Sequence, residues 1–458
     1  MTKKKASISY KCKICGYTQP GWLGRCPSCG EWNSLEEQIL DSNAASPLKD
    51  VNGNVTKVKP VPLASVTVQK EDRISTGNKE FNRVLGGNAH CMGATKRSAI
   101  LIGGEPGIGK STLLIQTAAQ VLKQKEKVLY VSGEESASQI KGRALRLKLN
   151  TDAIEILCTL RLEDILDALD SIKPTVVIID SIQTVYSAEM GLVPGTVNQL
   201  KYCANELIAW VKERDSVLFM TAHITKDGNI AGPKSLEHMV DTVISFERNN
   251  DEVRFLRALK NRFGSVDELG IFMMESEGLK AVQDPSSLFL TRRGGKTPAG
   301  IAYVCVFEGS RCFAVEIQAL TVPAKAAVNR VYSDKIDSAR VSRVAAVLEK
   351  RAGIKLSEQD IYINVAGGMR LTESAIDASL AAALYSARTD VPLEENTIIL
   401  GELSLAGEIR PVTKLKQRVK TARDLGFTNI IAPEKDEKGS SVTSVSNVKD
   451  LVKAIFKS

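Results

Sequence analysis

The feature that most constrains this chain is a phosphate-binding loop within residues 99–112. Three apolar residues, 100–102, predict a buried strand, and a Gly-x4-Gly-Lys-Ser pattern at residues 104–111 follows closely. Glycines let the backbone turn its N–H groups towards phosphate oxygens. The apolar stripe over residues 113–122 predicts a helix whose N-terminus faces those phosphates. The sequence therefore predicts a P-loop nucleotide-binding domain.

Each residue type in this loop has a chemical reason. Lys110 can reach the β- and γ-phosphates of a nucleoside triphosphate, and the Ser111 hydroxyl can bind Mg²⁺. ATP and Mg²⁺ are therefore the expected ligands. The predicted ATP-binding residues are Gly104, Glu105, Pro106, Gly107, Ile108, Gly109, Lys110, Ser111 and Thr112.

Polar residues end three further predicted strands. Asp180 closes an apolar run, where its carboxylate is the expected second Mg²⁺ anchor; the alternative is an aspartate that caps a turn. Glu134 and Glu135 follow another strand, and the ordinary preference for acids at a helix start is the alternative to a catalytic role. His223 is either structural or a reporter of the γ-phosphate state.

Four cysteines near the N-terminus predict a metal site. Cys12 and Cys15 form one Cys-x2-Cys pair, and Cys26 and Cys29 form a second pair ten residues later. Two such turns complete a tetrahedral set of thiolates for Zn²⁺. A redox pair and two unrelated pairs are the alternatives, which the matched spacing disfavours. Because all four positions are cysteine, the predicted zinc site is structural.

Composition limits the class of protein further. The chain has 458 residues, 43% of them hydrophobic, and a net charge of +8, which suits a polyanionic partner without establishing one. No apolar run approaches the ~18–20 residues that span a bilayer, and no secretory signal follows the lysine-rich start. The expectation is a cytoplasmic protein with no membrane association.

Apolar runs alternate with helical patterns between residues 71 and 283. The helical candidates are 111–124, 136–147, 163–172 and 196–214, and the later strand candidates, 240–247, 253–260 and 269–275, have no helices between them. This order predicts an α/β fold with a largely parallel central sheet.

Four stretches give the chain a close resemblance to the bacterial RadA (Sms) family. They are the knuckle at residues 22–30, the phosphate loop, residues 230–241, and Lys-Asn-Arg-Phe-Gly at residues 260–264. The similarity runs over nearly the whole chain in the same order.

The resemblance implies a RecA-like P-loop ATPase core that forms a hexameric ring on single-stranded DNA. It implies a DNA-dependent ATPase of homologous recombination and DNA repair, a helicase-like branch-migration motor that extends RecA-mediated strand exchange. The implied partners are single-stranded DNA, recombination intermediates and RecA. In such engines a glutamate at the position of Glu134 or Glu135 polarises the attacking water.

The resemblance also suggests where DNA and neighbouring subunits make contact. Loops such as residues 186–198 and 224–234 line the channel of a RecA-type ring, where Lys226 and Lys234 are candidates for phosphate contacts. Lys260 and Arg262 leave one face of an extended strand, and we expect them to reach the γ-phosphate of the neighbouring subunit.

The C-terminal part resembles the proteolytic domain of Lon protease, chiefly at residues 315–319 and 401–410. Lon uses a Ser–Lys dyad, whereas matching the helices places Ala375 at the nucleophile position and Lys416 at the lysine position. Without the hydroxyl no acyl-enzyme forms, so we expect an inactive scaffold. The predicted basic DNA-facing surface consists of Lys414, Lys416, Arg418 and Lys420.

The resulting domain prediction has four parts. These are a zinc finger at 1–36, a linker at 37–70, a RecA-like ATPase domain at 71–283 and a Lon-protease-like α/β domain at 284–458. Two other function classes stay open at this point. One is an ATP-dependent protease, and the other is a nucleotide-switched module similar to KaiC.

Overall fold

A computed structural model describes most of the chain and divides it into two compact units, residues 1–70 and 71–458. The described residues are 7–12, 18–19, 24–25, 27, 31, 35–40, 62, 72–88, 91–191, 194–223, 235–248, 252–266, 268–282, 284–291, 293, 297–325, 329–433 and 442–456. No helix within these ranges is long and apolar enough to cross a membrane.

The first unit contains a small antiparallel sheet in the order β2–β1–β3. Its strands are β1 (Ser7–Cys12), β2 (Thr18–Gln19) and β3 (Leu35–Leu40). All six residues of β3 pair with β1, so the sheet continues four residues past the zinc-finger end predicted at residue 36. The side chains of Cys12, Cys15, Cys26 and Cys29 lie outside the described part of the chain.

The second unit contains two large sheets. Its strands are β4 (Arg73–Ile74), β5 (Gly87–Asn88), β6 (Cys91–Met92), β7 (Ala94–Thr95), β8 (Ser98–Gly104), β9 (Val128–Ser132), β10 (Ile154–Cys158), β11 (Val176–Asp180), β12 (Val217–His223), β13 (Thr242–Arg248), β14 (Val253–Asn261), β15 (Leu269–Glu275), β16 (Gly278–Ala281), β17 (Ile301–Glu308), β18 (Arg311–Pro323), β19 (Val331–Ser333), β20 (Gln359–Val365), β21 (Thr397–Ile399), β22 (Glu402–Leu403), β23 (Ile409–Arg410), β24 (Asn429–Ala432) and β25 (Val442–Ser444). Its helices are α1 (Lys79–Leu85), α2 (Lys110–Leu122), α3 (Ala137–Arg146), α4 (Leu162–Ile172), α5 (Val197–Lys212), α6 (Ser235–Met239), α7 (Ser286–Phe289), α8 (Ser338–Val347), α9 (Asp377–Thr389), α10 (Leu415–Asp424) and α11 (Val448–Ile455).

The ATPase sheet has the strand order β10–β9–β11–β12–β8–β13–β14–β15–β16. The first six strands of this spatial order, from β10 through β8 to β13, pair in parallel. The remaining pairs, from β13 through β14 and β15 to β16, are antiparallel. Helical crossovers allow parallel pairing, whereas strands joined by short loops pair antiparallel. The predicted α/β fold with a largely parallel sheet is therefore confirmed.

Strand β8 shows why these strands are apolar throughout. Ile100 and Ile102 pack in one core with α1, α2 and α3, while Ala99 and Leu101 pack in a second core with α4 and α5. Successive strand residues point to opposite faces, so a strand covered on both faces needs apolar residues at every position.

The C-terminal sheet has the order β19–β20–β18–β17–β21–β24–β25. Its core includes Val253 and Phe255 of β14 as well as Phe289 and Phe313. The ring centroids of Phe255 and Phe289 lie 6.4 Å apart, and those of Phe289 and Phe313 lie 5.5 Å apart. One apolar core thus crosses the domain boundary predicted at residues 283 and 284.

Strand β21 is a parallel strand of the main sheet, and a separate hairpin consists of β22 and β23. One prediction for the C-terminal part needs correction. Arg418 was expected on a basic surface, but it is 1% exposed and donates two hydrogen bonds to Glu373. It also donates to the Cys305 carbonyl at 2.5 Å, because it lies on the inner face of α10.

Removing the Arg418 guanidinium should destabilise the C-terminal core. Arg418→Ala leaves Glu373 without its cation and the Cys305 carbonyl without a donor, a loss we expect to cost about 3 kcal/mol of unfolding free energy. Urea denaturation measures this change. Lys420→Ala on the exposed side of the same helix is the control and should stay within about 0.5 kcal/mol of the wild type.

Candidate functional site

Two glycines shape the phosphate loop between β8 and α2. Gly107 has φ +74°, and a Cβ there would meet nothing within 4 Å, so the backbone faces open space. Gly109 has φ +118° and precedes α2, where a Cβ would lie 2.7 Å from Cε of Met274. The backbone conformation therefore disfavours a side chain at Gly109, and the end of the Met274 side chain would also have to shift. The free N–H groups at the start of α2 suit an anion.

Lys110 places its ammonium group at the inner side of this loop. Its Nζ donates hydrogen bonds to the carbonyls of Gly104 at 2.7 Å and Glu105 at 3.0 Å. Burial lowers the pKa of Lys110, while the charges of Asp180 and Glu134 act in the opposite direction. A buried ammonium group beside the main-chain N–H groups of the loop is complementary to the negative charge of a triphosphate.

Asp180 ends β11 as a buried carboxylate with two hydroxyl donors. Tyr130 Oη and Thr221 Oγ1 each donate to one of its oxygens at 2.6 Å. Burial, reinforced by the Asp180 charge, raises the pKa of Tyr130 well above its usual range, so the phenol stays protonated. These bonds fix the carboxylate at the carboxyl edge of the sheet, where an oxygen ligand suits Mg²⁺.

Glu134 and His223 meet beside Lys110. Oε1 of Glu134 accepts a hydrogen bond from Ser181 Oγ at 2.6 Å and lies 3.3 Å from Nε2 of His223. Nδ1 of His223 lies 3.5 Å from Nζ of Lys110. The register explains this proximity, because His223 pairs directly with Gly104 in the sheet. The Glu134 carboxylate is therefore held next to the phosphate loop.

The structure separates the two adjacent glutamates. Glu135 forms an ion pair with Arg143 of α3, and its N–H donates to Ser132 Oγ at 3.0 Å. Its carboxylate is thus committed to the helix, whereas Glu134 faces Lys110 and His223. The sequence left both open as the group that activates water, and the geometry favours Glu134.

Ser111 and Thr112 lie in the first turn of α2, directly after Lys110. The Ser111 hydroxyl and the Asp180 carboxylate are oxygen groups of the kind that Mg²⁺ prefers. The residues present therefore fit ATP and Mg²⁺. Bound Mg²⁺ would supply positive charge against the phosphates during phosphoryl transfer.

Lys260 and Arg262 lie at the level where β8 begins, and the phosphate loop lies where β8 ends. The Arg262 N–H bonds to the Asp241 carbonyl at 3.1 Å, and the Asp241 N–H bonds to the carbonyl of Ala99 at 3.0 Å. Ala99 is near the start of β8, so about 17 Å of extended strand separates this level from Gly104. The pair is not part of the phosphate site of its own chain.

The remaining predicted site residues fall into two groups. Lys226 and Lys234 lie outside the described part of the chain. In the C-terminal domain, Ala375 is buried and Lys416 is exposed in the first turn of α10. The nearby Ser379 donates to the Ile399 carbonyl at 2.7 Å and is fully buried, which leaves it unsuited to nucleophilic attack.

Sequence reasoning missed three polar residues of the site. Ser181, Tyr130 and Thr221 hold Glu134 and Asp180 in position. A hydroxyl directly after the strand-end aspartate was a visible signal for Ser181. Tyr130 and Thr221 lie within apolar strands, and only the strand order of the sheet brings them to Asp180.

A phosphate loop, a strand-end aspartate and an oriented glutamate on a parallel sheet define a P-loop ATPase. Three family models match parts of the chain. One described as an AAA domain matches residues 90–229, a rubredoxin metal binding domain matches residues 10–37, and subunit ChlI of Mg-chelatase matches residues 326–436.

The chain is also similar to curated proteins over nearly its whole length. The DNA repair protein RadA of Treponema pallidum is 62% identical over 94% of this chain and 92% of the relative. The RadA proteins of Bacillus subtilis and Streptococcus pyogenes are each 43% identical, over 98% and 100% of both chains respectively. The chain belongs to the RadA family of DNA repair proteins. It is an ATP hydrolase with ATP, Mg²⁺ and Zn²⁺ as cofactors.

Zinc should be present at about one ion per chain, because four thiolates complete one tetrahedral site. Elemental analysis of a reduced preparation measures it, and finding no zinc would contradict the prediction. Cys29→Ser should lower the zinc content while ATP hydrolysis continues, since the ATPase lies in a separate compact unit.

Glu134→Gln should reduce ATP turnover by roughly 10²–10⁴-fold, because it removes the base while the length and shape of the side chain are kept. Steady-state phosphate release measures turnover, and binding of a fluorescent ATP analogue checks that the site is intact. Glu135→Gln is the matched control and should lose far less activity. An equal loss in both variants would show that the two carboxylates were assigned wrongly.

Proposed function

We propose that this chain is a ring-forming, DNA-dependent ATPase that drives branch migration on single-stranded DNA during homologous recombination. The proposed assembly is a homohexamer, and the proposed partners are recombination intermediates and RecA, whose strand exchange it would extend. The observation that carries the proposal is the position of Arg262 at the sheet edge opposite the phosphate loop.

Arg262 is suited to act on a neighbouring subunit. Its side chain is 53% exposed and forms one ion pair, with Oδ1 of Asp241 at 3.2 Å. Asp241 is almost fully buried and also accepts from the Ala99 N–H at 3.1 Å, so it anchors the arginine to the sheet. A guanidinium held this way can approach a phosphate on another chain, where it stabilises the charge of phosphoryl transfer.

The proposed DNA contacts follow directly from the nucleotide site. His223 is the last residue before 224–234, the segment that contains Lys226 and Lys234. The His223 N–H donates to Oε1 of Gln183 at 3.1 Å, which ties it to the segment after β11. Any movement of His223 on ATP hydrolysis would therefore affect the start of both proposed DNA loops. Lysines in such loops bind phosphates without reading sequence.

The C-terminal domain acts as a scaffold in this proposal. It shares an apolar core with β14 and β15, which connects it firmly to the ATPase sheet. Ala375 at the matched nucleophile position favours this role over proteolysis.

The trans action of Arg262 can be tested by mixing two inactive variants. Arg262→Ala should lose roughly 10³–10⁵-fold in DNA-stimulated turnover, and Lys110→Ala should also be inactive. In mixed rings, some interfaces pair an intact phosphate loop with an intact arginine, so activity should partly return. Phosphate release with a poly-dT oligonucleotide measures this.

Native mass spectrometry provides the control by showing that mixed rings form. If mixed rings form and no activity returns, Arg262 does not act across the subunit interface. If DNA does not stimulate ATP turnover by the wild type, the proposal of a DNA-dependent motor is wrong.

A further inference from the structure

The turn of the β22–β23 hairpin in the C-terminal domain presents an apolar side chain to solvent. Leu405, at 70%, is the most exposed large apolar side chain in the described part of the chain. It lies in residues 404–408, which we call the tip. The Gly407 N–H donates to the Ser404 carbonyl at 2.9 Å, and the Gly407 carbonyl accepts from the Val448 N–H at 2.9 Å. These bonds fix the backbone of the tip, so Leu405 projects from a rigid turn.

A second exposed apolar surface crosses three strands of the same domain. It consists of Leu320 on β18, Tyr362 on β20 and Tyr332 on β19, which are register neighbours and which we call the apolar strip. Their exposed fractions are 58%, 39% and 43%, and the two tyrosine rings stack with their centroids 4.6 Å apart. Ile361 and Ile363 of β20 point into the core, so the strip lies on the other face of the sheet. A contiguous exposed apolar strip is typical of an interaction site.

The surroundings of the two surfaces are complementary. The apolar strip lines a groove of about 760 Å³ whose wall includes the exposed Asp334. Arg330 donates to Tyr332 Oη at 3.4 Å and supplies a positive charge beside the groove. Near the tip, Glu408 and Arg410 are more than half exposed and pair with each other at 3.0 Å. Each surface therefore has an apolar centre beside one acid and one base, and opposite charges can meet when the two surfaces come together.

The tip and the apolar strip lie towards opposite edges of the C-terminal sheet. The strip includes the edge strand β19, whereas Glu408 pairs with Asn447, just after the other edge strand, β25. Five strand spacings from β20 to β25 amount to about 24 Å, so the tip of a chain does not cover its own strip. Two different surfaces on one chain form a head-to-tail contact, which generates a ring when the rotation closes.

We propose that the tip and the apolar strip form a contact between the C-terminal domains of two copies of this chain, with Leu405 of one copy seated against the strip of the next. The inference rests on the proposed function, because it names the surface through which the scaffold of the proposed ring closes. A second copy is the favoured occupant of the strip since the chain itself supplies the complementary half. Contact would remove apolar area from water, and the rigid tip would lose little conformational entropy.

Photocrosslinking tests which molecule covers the apolar strip. A benzophenone amino acid replaces Leu405 in the full chain, and this protein is assembled together with isotopically labelled wild type. After irradiation, mass spectrometry should find crosslinks from position 405 to labelled peptides that contain residues 318–322, 330–334 or 360–364. Crosslinks confined to unlabelled peptides of the same chain, or to labelled peptides elsewhere, would overturn the inference.

Assembly gives a second readout from variants on each side of the contact. Leu405→Ser and Tyr362→Ser should each raise the concentration of half-assembly in sedimentation velocity by roughly 10- to 100-fold, the loss expected for one buried apolar side chain. The double variant should lose less than the two single losses combined, because both residues belong to one contact. Leu145→Ser is the matched control, since Leu145 is 63% exposed on α3 of the ATPase domain, and should assemble as the wild type does.

The outcomes separate this inference from the proposed function. Unchanged assembly of Leu405→Ser and Tyr362→Ser, or an equal loss in Leu145→Ser, would overturn the proposed contact while the ring stands. If the wild type does not assemble at all, the ring of the proposed function fails, and the crosslinks alone decide whether two copies meet through these surfaces. If Tyr362→Ser weakens binding of a poly-dT oligonucleotide and leaves assembly unchanged, the strip is a base-stacking surface and the inference is wrong.

Discussion

The pairing of β8 on both sides is the constraint on which the rest of the ATPase depends. Strand β12 pairs with it from Ser98 to Gly104, and β13 pairs with Ile100 to Gly104 on the other side. A strand fixed in this way cannot shift its register without moving both apolar cores. Its carboxyl end therefore fixes the phosphate loop, and its amino end fixes Asp241 through two hydrogen bonds to Ala99. The length of β8 therefore sets the distance between the phosphate loop at one end and Asp241, which pairs with Arg262, at the other.

The bounds predicted for β13, β14 and β15 agree with the structure within two residues. Strand β8 could be predicted because a strand buried on both faces is a continuous apolar run. Prediction failed where two neighbouring residues of the same type point their side chains in different directions. Glu134 and Glu135 are equivalent in the sequence, yet one carboxylate reaches His223 and the other reaches Arg143. No pattern distinguishes them, since the turn after β9 sets the direction of each side chain.

Arg418 shows the same limit in the C-terminal domain. A run of cations on a helix predicts an exposed basic face, and Lys414, Lys416 and Lys420 are indeed exposed. The guanidinium of Arg418 instead turns inward, over the ring of Phe307 at 4.8 Å and against Glu373. Glu373 lies 45 residues earlier, so the pair exists only because the sheet brings α10 to it. Buried cations of this kind follow from tertiary contacts and not from local sequence.

The connection between the two large sheets has a mechanical consequence. The residues on either side of the turn between β17 and β18 contact the ATPase domain through two ion pairs. Glu308 pairs with Arg257 of β14 at 2.5 Å, and Arg311 pairs with Glu80 of α1 at 2.7 Å. Arg257 belongs to β14, the strand that leads to Lys260, and none of these contacts reaches the phosphate loop. In the proposed ring, a C-terminal scaffold would therefore hold the edge that presents Arg262. Each subunit would offer its arginine from a supported edge, while the phosphate loop of the next subunit remains free to respond to its nucleotide.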